Sequence, residues 1–549
     1  HKYRRFETQC TNYNTQSPMW SDYEILFIAI ILTVCYNDSR WDKKIGLAIC
    51  PNNQAKSQII YFTVNEKEVS RCPYNPLIVP MMKIRARIQA QHHPVKLISA
   101  GADRVTSFSK LALPAIAAQI INVLYNMVDR MYIGHIPDIG PSALTGVGVT
   151  MPIIMCISAF AALAAMGGAP QASILMGKGD KDSAEKVLGN CTFMLTVISL
   201  VLTALFLGFG RPILLMFGAS EKTILYAWNY MKIYVCGTFF VQMALGLNAF
   251  INAQGYAKTG MITVAIGALC NIILDPIFIF GLHLDVRGAA LATILSQGIS
   301  CIWILRFLTG THSTLRIRLR NLRPQKKFIL PCLALGLAPF IMQFTESALS
   351  ISFNTSLLKY GGDTAVGAMT ILSSVMQFSM LPLQGLSQGA QPIISFNYGA
   401  RKYGRVHDTY RLALNFCNGC FYISIFMLPT LPTTDYFFFG QGSEEYFRFA
   451  ENYFRTFLFF TFLNGIQPIT SNFFTAIGKA TRGAVLALTR QIIFLLPLIL
   501  ILPMLIGIDG VMYAGPVADF AAAVLAFVMG FISLKQLRKM EAETNLLEE

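Results

Sequence analysis

The chain has 549 residues, 54% of them apolar and only 13% charged, and its mean hydropathy is +0.51. A soluble chain carries roughly a quarter charged residues, so composition speaks against a soluble enzyme. The excess of 44 Lys/Arg over 29 Asp/Glu, a net charge of +15, reads as loops held at an anionic membrane face rather than as a nucleic-acid footprint.

Residues 1–100 differ from the rest. They carry 13 Lys/Arg against 7 Asp/Glu without sustained periodicity. Their apolar run, Ile25 to Cys35, is about half the roughly 20 residues a membrane crossing needs. Asp22 and Glu24 precede that run where a signal peptide would carry basic residues. The stretch is expected to be a disordered or mis-assigned extension whose natural start lies near Met81–Met82. A regulatory domain is the alternative, and no residue pattern supports it.

From Ser107 onward, apolar runs of 20–30 residues alternate with Gly, Pro and charge. Six are expected at about 108–134, 143–168, 188–210, 225–253, 259–281 and 287–310, and six more at about 328–357, 364–392, 405–431, 446–475, 481–506 and 511–534. Loops after even-numbered spans, with the C-terminal tail, hold 21 Lys/Arg, against eight on the other side. By the positive-inside rule both termini are cytoplasmic.

The two halves repeat. Leu111 matches Leu333, Gly177 matches Gly399 and Gly288 matches Gly510, all at an offset of 222, and Ala253-x-Gly255 matches Ala476-x-Gly478 at 223. With an even number of spans per half, both halves enter the membrane in the same direction. The expected fold is therefore all-α and polytopic: 12 transmembrane helices in two six-helix lobes, related by a pseudo-twofold axis along the membrane normal. The expected divisions are the extension at 1–100, a first lobe at 101–310, a basic cytoplasmic linker at 311–327, a second lobe at 328–534 and a cytoplasmic tail at 535–549.

A carboxylate at mid-membrane costs on the order of 2.5–3.5 kcal/mol on insertion scales, so each one calls for a reason. Asp129 and Asp275 fall at nearly the same depth of spans 1 and 5, five and six residues before Gly134 and Gly281. Asn271 lies one turn before Asp275, and Pro276 frees a carbonyl near residue 272. Two carboxylates, an amide and a loose carbonyl at one depth can hold a proton or Na⁺. Alternatively, Asp129 pairs with a neighbour such as Arg130 or caps a helix. At the repeat offset neither acid has a counterpart, so the site is expected in one lobe only. Glu346 and Asp519 lie in spans 7 and 12, where they either face the cavity and attract cations or pair structurally. Gln384, Gln388 and Gln391 share one face of span 8, which suits substrate contact and helix packing equally. Arg490 is expected to snorkel to the inner interface.

The 12 cysteines read as packing residues, including the Cys417-x-x-Cys420 pair inside an apolar run. The sequence has no phosphate-binding G-x-x-x-x-G-K-[ST], no H-E-x-x-H and no catalytic histidine cluster. No enzymatic activity and no cofactor are expected, and transport energy would come from an ion gradient.

Three segments carry a resemblance: VDRMYIGHI (128–136), NIILDPIFIFG (271–281) and QGLSQGAQPIISFNYGARK (384–402). They resemble the MATE family (multidrug and toxic compound extrusion), particularly its bacterial multidrug-efflux branch, over residues 105–540. The resemblance implies a V-shaped pair of six-helix bundles that exports organic cations in exchange for H⁺ or Na⁺ by alternating access. It also implies that Asp129, Asp275 and Asn271 form the cation-coupling site, with Thr293 and Tyr230 as further members. Glu346 is similar to a second-lobe acid of one branch. That branch has an additional acid in span 10 which this chain lacks, so a Na⁺ site confined to the second lobe is not expected.

The partners expected are small organic cations and the lipid bilayer, with no nucleic acid. A functional monomer in the plasma (inner) membrane is the expected working unit. A flippase for lipid-linked cargo is the runner-up function. Such flippases usually line the cavity with arginines, whereas here the interior charges are mostly acidic. A receptor signalling through the extension is a third reading.

Overall fold

The computed structural model describes residues 46–50, 58–62, 98, 104–427 and 465–548. The chain divides into two units, residues 1–92 and 93–549. In the first, β1 (Gly46–Cys50) pairs antiparallel with β2 (Gln58–Phe62), Gly46 opposite Phe62. The Ile25–Cys35 run lies outside the described residues, as does most of the expected extension.

Helices make up the described part of the second unit. They are α1 (Arg104–Gly134), α2 (Gly140–Gly177), α3 (Lys181–Met216), α4 (Ile224–Cys236), α5 (Thr238–Ala253), α6 (Ala257–Pro276) and α7 (Asp285–Thr309). Then follow α8 (Lys326–Gly399), α9 (Tyr403–Met427), α10 (Ile466–Ala476), α11 (Ala480–Leu488), α12 (Leu496–Ile506) and α13 (Ile508–Glu548). Eight helical segments among the described residues are long and apolar enough to cross a bilayer, and α4 with α5 forms a ninth. Parts of expected spans 9 and 10 fall at 428–464, outside the described residues.

Apolar side chains stand exposed along these helices: Leu200, Val201 and Phe209 on α3, Met504 and Leu505 on α12, Phe527 and Phe531 on α13. Water would reject a surface of this extent, whereas hydrocarbon accepts it.

Three of the expected stretches take a specific form. Span 4 is two helices meeting at 59°. The bend falls at Gly237, where a β-carbon would collide with the Ile294 side chain of α7. The interval 358–363 between expected spans 7 and 8 is itself helical, part of α8 from Lys326 to Gly399. That helix cannot be straight: Gly336 meets the backbone of Leu163 on α2, and Gly399 meets Ile174 only 11 residues further along the same helix. A straight helix would hold residues 336 and 399 about 95 Å apart at 1.5 Å per residue, so the run doubles back on itself. Finally, the residues expected to form a tail beyond 534 continue α13 to Glu548.

Glycines set the close approaches, and they recur at the repeat offset. Gly167 and Gly336 let α2 and α8 touch backbone to backbone, while Gly385 and Gly389 do the same between α8 and Ile116 and Ala112 of α1. Gly385 and Gly389 lie 222 residues beyond Leu163 and Gly167. Gly255 (φ 89°) and Gly478 (φ 75°), the repeat's Ala-x-Gly glycines, each follow a helix end in the left-handed region, which only glycine enters without strain.

The basic interval between α7 and α8 is pinned down. Gln254 Oε1 accepts from Ser313 Oγ (3.0 Å) and the Leu315 N–H (2.8 Å). Asn190 Oδ1 accepts from the Gln325 N–H at 2.7 Å, and buried Glu185 takes Arg318 at 3.0 Å.

Candidate functional site: a buried carboxylate pair

Five sequence-selected residues from four helices meet inside the bundle. Asp129 comes from α1, Tyr230 from α4, Asn271 and Asp275 from α6, and Thr293 from α7. Asp275 is fully buried, and Asn271, Tyr230 and Asp129 are buried to within 9%. The local backbone follows from Pro276, which removes an N–H from the ladder. The helix then widens into a π-turn over Ile277–Gly281, a form common at functional positions. Gly288 lets the start of α7 press against that turn, since a β-carbon there would strike the Phe278 backbone.

The carboxyl groups of Asp129 and Asp275 face each other within hydrogen-bonding reach. Asn271 Nδ2 donates to Asp275 Oδ1 at 3.1 Å and reaches Thr293 Oγ1 at 3.5 Å. The Tyr230 hydroxyl lies within reach of Thr293, whose own hydroxyl donates to the Ala289 carbonyl at 3.0 Å. Three buried oxygens are left over: Asp129 Oδ1, Asp275 Oδ2 and Asn271 Oδ1 find no hydrogen-bond donor among the described residues. Buried oxygens of this kind are costly unless something occupies them part of the time. A proton shared by the carboxyls, or a hard monovalent cation, matches that donor set. Arg130 is within electrostatic reach of Asp129 but makes no ion pair with it among the described residues; its guanidinium is exposed and points to Met151 Sδ at 3.8 Å.

Two residues escaped sequence reasoning. Tyr125 lies within electrostatic reach of both Asp129 and Asp275. Tyr234 stacks on Tyr230 with ring centroids 6.1 Å apart. Each sits one helical turn from a selected residue, Tyr125 before Asp129 and Tyr234 after Tyr230. That spacing was the available signal.

The second half is arranged differently. Arg490 was expected at the inner interface. It lies ten residues into the Ala480–Ile506 span, in a π-turn over Thr489–Leu495. Its Nε donates to Asp519 Oδ1 on α13 at 2.6 Å. Asp519 is 6% exposed and already carries a counter-charge, so of its two expected roles the structure displays pairing. Glu346, on α8, is within electrostatic reach of the same guanidinium and has no hydrogen bond among the described residues. Gln384 is exposed, Gln388 half-buried, and Gln391 keeps its buried Nε2 without a partner among the described residues. The structure does not bring this glutamine stripe to the Asp129–Asp275 pair. No cluster of three metal-ligating His, Cys, Asp or Glu occurs among the described residues.

An apolar helical bundle with buried, incompletely satisfied acids defines a multi-pass membrane protein of the transporter class. The MatE family profile matches residues 114–277 and again 339–501. The chain belongs to that family, the MATE transporters.

Among curated proteins, the multidrug export protein MepA of Staphylococcus haemolyticus (strain JCSC1435) is 27% identical over 422 residues, 76% of this chain and 90% of that protein. MepA of Staphylococcus aureus (strain bovine RF122 / ET3-1) is 25% identical over 428 residues, 77% and 92% of the two chains. Among solved structures, MATE in the bent conformation superposes with a TM-score of 0.76 at 23% identity, over 82% of this chain and 99% of that one. An outward-facing multidrug resistance MATE family transporter of the MOP superfamily superposes with a TM-score of 0.74, at 23% identity over 81% and 99%. These structures establish likeness of fold.

Proposed function

We propose that this chain is a secondary antiporter that exports organic cations in exchange for H⁺ or Na⁺. In this reading two six-helix lobes, related by a pseudo-twofold axis along the membrane normal, rock about a central cavity. The observation that carries it is the convergence of Asp129 and Asp275 with three buried oxygens that lack a hydrogen-bond donor among the described residues. Such a group releases its proton or ion to one side and reloads from the other, and the lobe refolds around it. The repeat of glycine contacts at offset 222 supports the two-lobe arrangement, as does the double match of the family profile. The relatives' names, multidrug export proteins, support the cargo class.

Asp129, Asp275, Asn271, Thr293 and Tyr230 form the coupling site in this reading. Glu346 supplies a cavity anion, and Gln384, Gln388 and Gln391 offer polar contacts to cargo. Cationic rather than phosphate-bearing cargo is favoured because the interior guanidinium of Arg490 is already engaged by Asp519.

The test is efflux of a fluorescent organic cation from proteoliposomes, driven separately by an imposed proton gradient and an imposed Na⁺ gradient, with Asp275→Asn alongside. Efflux under one gradient, abolished by the substitution, supports the reading and names the ion. Folded protein that moves no dye under either gradient overturns cation export and directs the next assay to lipid-linked cargo.

A further inference from the structure

The sulfurs of Cys191 on α3 and Cys332 on α8 lie 3.7 Å apart. The two residues are separated by 141 positions and belong to opposite halves of the chain. Both are buried, at 1% and 0% exposure, and both thiols are free.

Consecutive glycines on α2 create this meeting. Gly167 admits the backbone of α8, since a β-carbon there would collide with the Cys332 carbonyl, and Gly168 leaves the notch that holds Cys191 Sγ. The Cys191 thiol donates to Cys332 Sγ, and the Cys332 thiol donates to Gln171 Oε1 at 2.8 Å. The sulfurs are thus in van der Waals contact, held by fixed backbone on three helices. The sulfurs need to close from 3.7 Å to a bond of about 2.05 Å.

We propose that Cys191 and Cys332 form an oxidation site whose disulfide ties α3 to α8 and halts the transport cycle. The reaction consumes one hydrogen peroxide. A thiol sulfur attacks one peroxide oxygen while its proton passes to the departing oxygen, the O–O bond breaks, and a sulfenic acid and water result. The second thiol then displaces the hydroxyl as a second water, and the S–S bond forms. Two thiols are oxidised by two electrons, one peroxide is reduced, and both thiol hydrogens end in water. Peroxide is small enough to reach a pocket this buried during ordinary opening motions. A dithiol reductant reverses the bond. The halting effect rests on the antiport reading above, because a tie between the two halves matters only if they separate.

The test uses the full chain in proteoliposomes, with oxidation and transport measured independently. After hydrogen peroxide treatment, free thiols are blocked with N-ethylmaleimide, and the digest is searched for a linked peptide pair by mass spectrometry. Dye efflux is followed on the same sample before oxidation, after it, and after dithiothreitol. The expected result is a Cys191–Cys332 linked pair, an efflux rate lower by an order of magnitude or more, and recovery on reduction. Cys191→Ser and Cys332→Ser should each transport normally and show neither the link nor the loss. If either serine variant fails to fold, the alanine variant replaces it. Absence of the linked pair overturns the proposal, as does a linked protein that still transports at full rate. Reduced wild-type protein that moves no dye overturns the antiport reading instead, leaving the linked pair as the measure of the site itself.

Discussion

Gly177 of α2 and Gly399 of α8 lie back to back across one helix crossing. A β-carbon on Gly177 would collide with the Phe396 carbonyl, and one on Gly399 would collide with the Ile174 carbonyl. Both contacts map onto each other at offset 222, since 174 and 177 become 396 and 399. Neither backbone can yield without parting the helices, so the crossing has no room for a methyl group.

Gly177→Ala and Gly399→Ala should therefore each destabilise the protein by about 1–3 kcal/mol, the usual cost of overpacking, and slow transport in proportion. Gly208→Ala is the control, because open space surrounds that residue on α3. Thermal unfolding in detergent and dye efflux in proteoliposomes check both. Normal stability in the two crossing variants would show that the helices can separate there at no cost.

The Arg490–Asp519 pair makes a second prediction. Removing one member of a buried ion pair strands the other charge, at a cost of about 3–5 kcal/mol, whereas replacing both with apolar groups is often neutral. Arg490→Met and Asp519→Leu should each lower the unfolding temperature markedly, and the double variant should recover most of the loss. The double variant should also keep transport, since in this reading Glu346 and not Asp519 is the free anion. A double variant that is stable but inactive would assign Asp519 a role in the cavity.

Much of this arrangement was legible in the sequence, for a physical reason. A charge in a 25-residue apolar run stands out, so Asp129 and Asp275 declared themselves by cost, and Asn271 by lying one turn before Asp275. What stayed hidden depends on pairing across helices. Arg490 and Asp519 are 29 residues apart, and nothing local says that a guanidinium will meet a carboxylate rather than reach for the interface. Tyr125 and Tyr234 look like ordinary membrane aromatics until the neighbouring acid and ring are placed. The bend at Gly237 is set by Ile294 on another helix, and a lone glycine in an apolar run does not announce it. The Cys191–Cys332 contact needs two glycines on a third helix, which no spacing rule supplies.

Asp180 gives a pH-dependent prediction outside the membrane. It caps α3 by accepting from the Ser183 N–H at 3.0 Å, and that hydrogen bond holds its carboxyl below the ordinary range. A carboxyl lowered on folding stabilises the folded state above its unfolded pKa and loses that contribution as pH falls through the folded value. Asp180→Ala should cost about 1 kcal/mol near neutrality, and the difference from wild type should shrink in acid. Unfolding temperatures across an acid-to-neutral pH series check this, and a difference that grows in acid would contradict it.

Asn271 supplies the last prediction. Its Nδ2 is the donor that reaches Asp275 Oδ1 and also spans to Thr293 Oγ1, so it holds one carboxyl in register with the other without being able to carry the proton or ion itself. Asn271→Ala leaves both carboxylates in place but removes that restraint and opens a small polar gap. Transport should fall less than in Asp275→Asn, which removes a charge the cycle needs. Asn271→Asp keeps the shape and replaces the donor with a third acid beside the pair. Like charges this close repel, so this variant should transport more weakly than Asn271→Ala despite the smaller change in volume. Initial efflux rates of the three variants, each normalised to folded protein by gel filtration, decide the order. If Asn271→Asp instead matches wild type, the residue acts as an oxygen donor to a bound cation rather than as a hydrogen-bond donor to Asp275, and the coupling ion would then be Na⁺ rather than a proton.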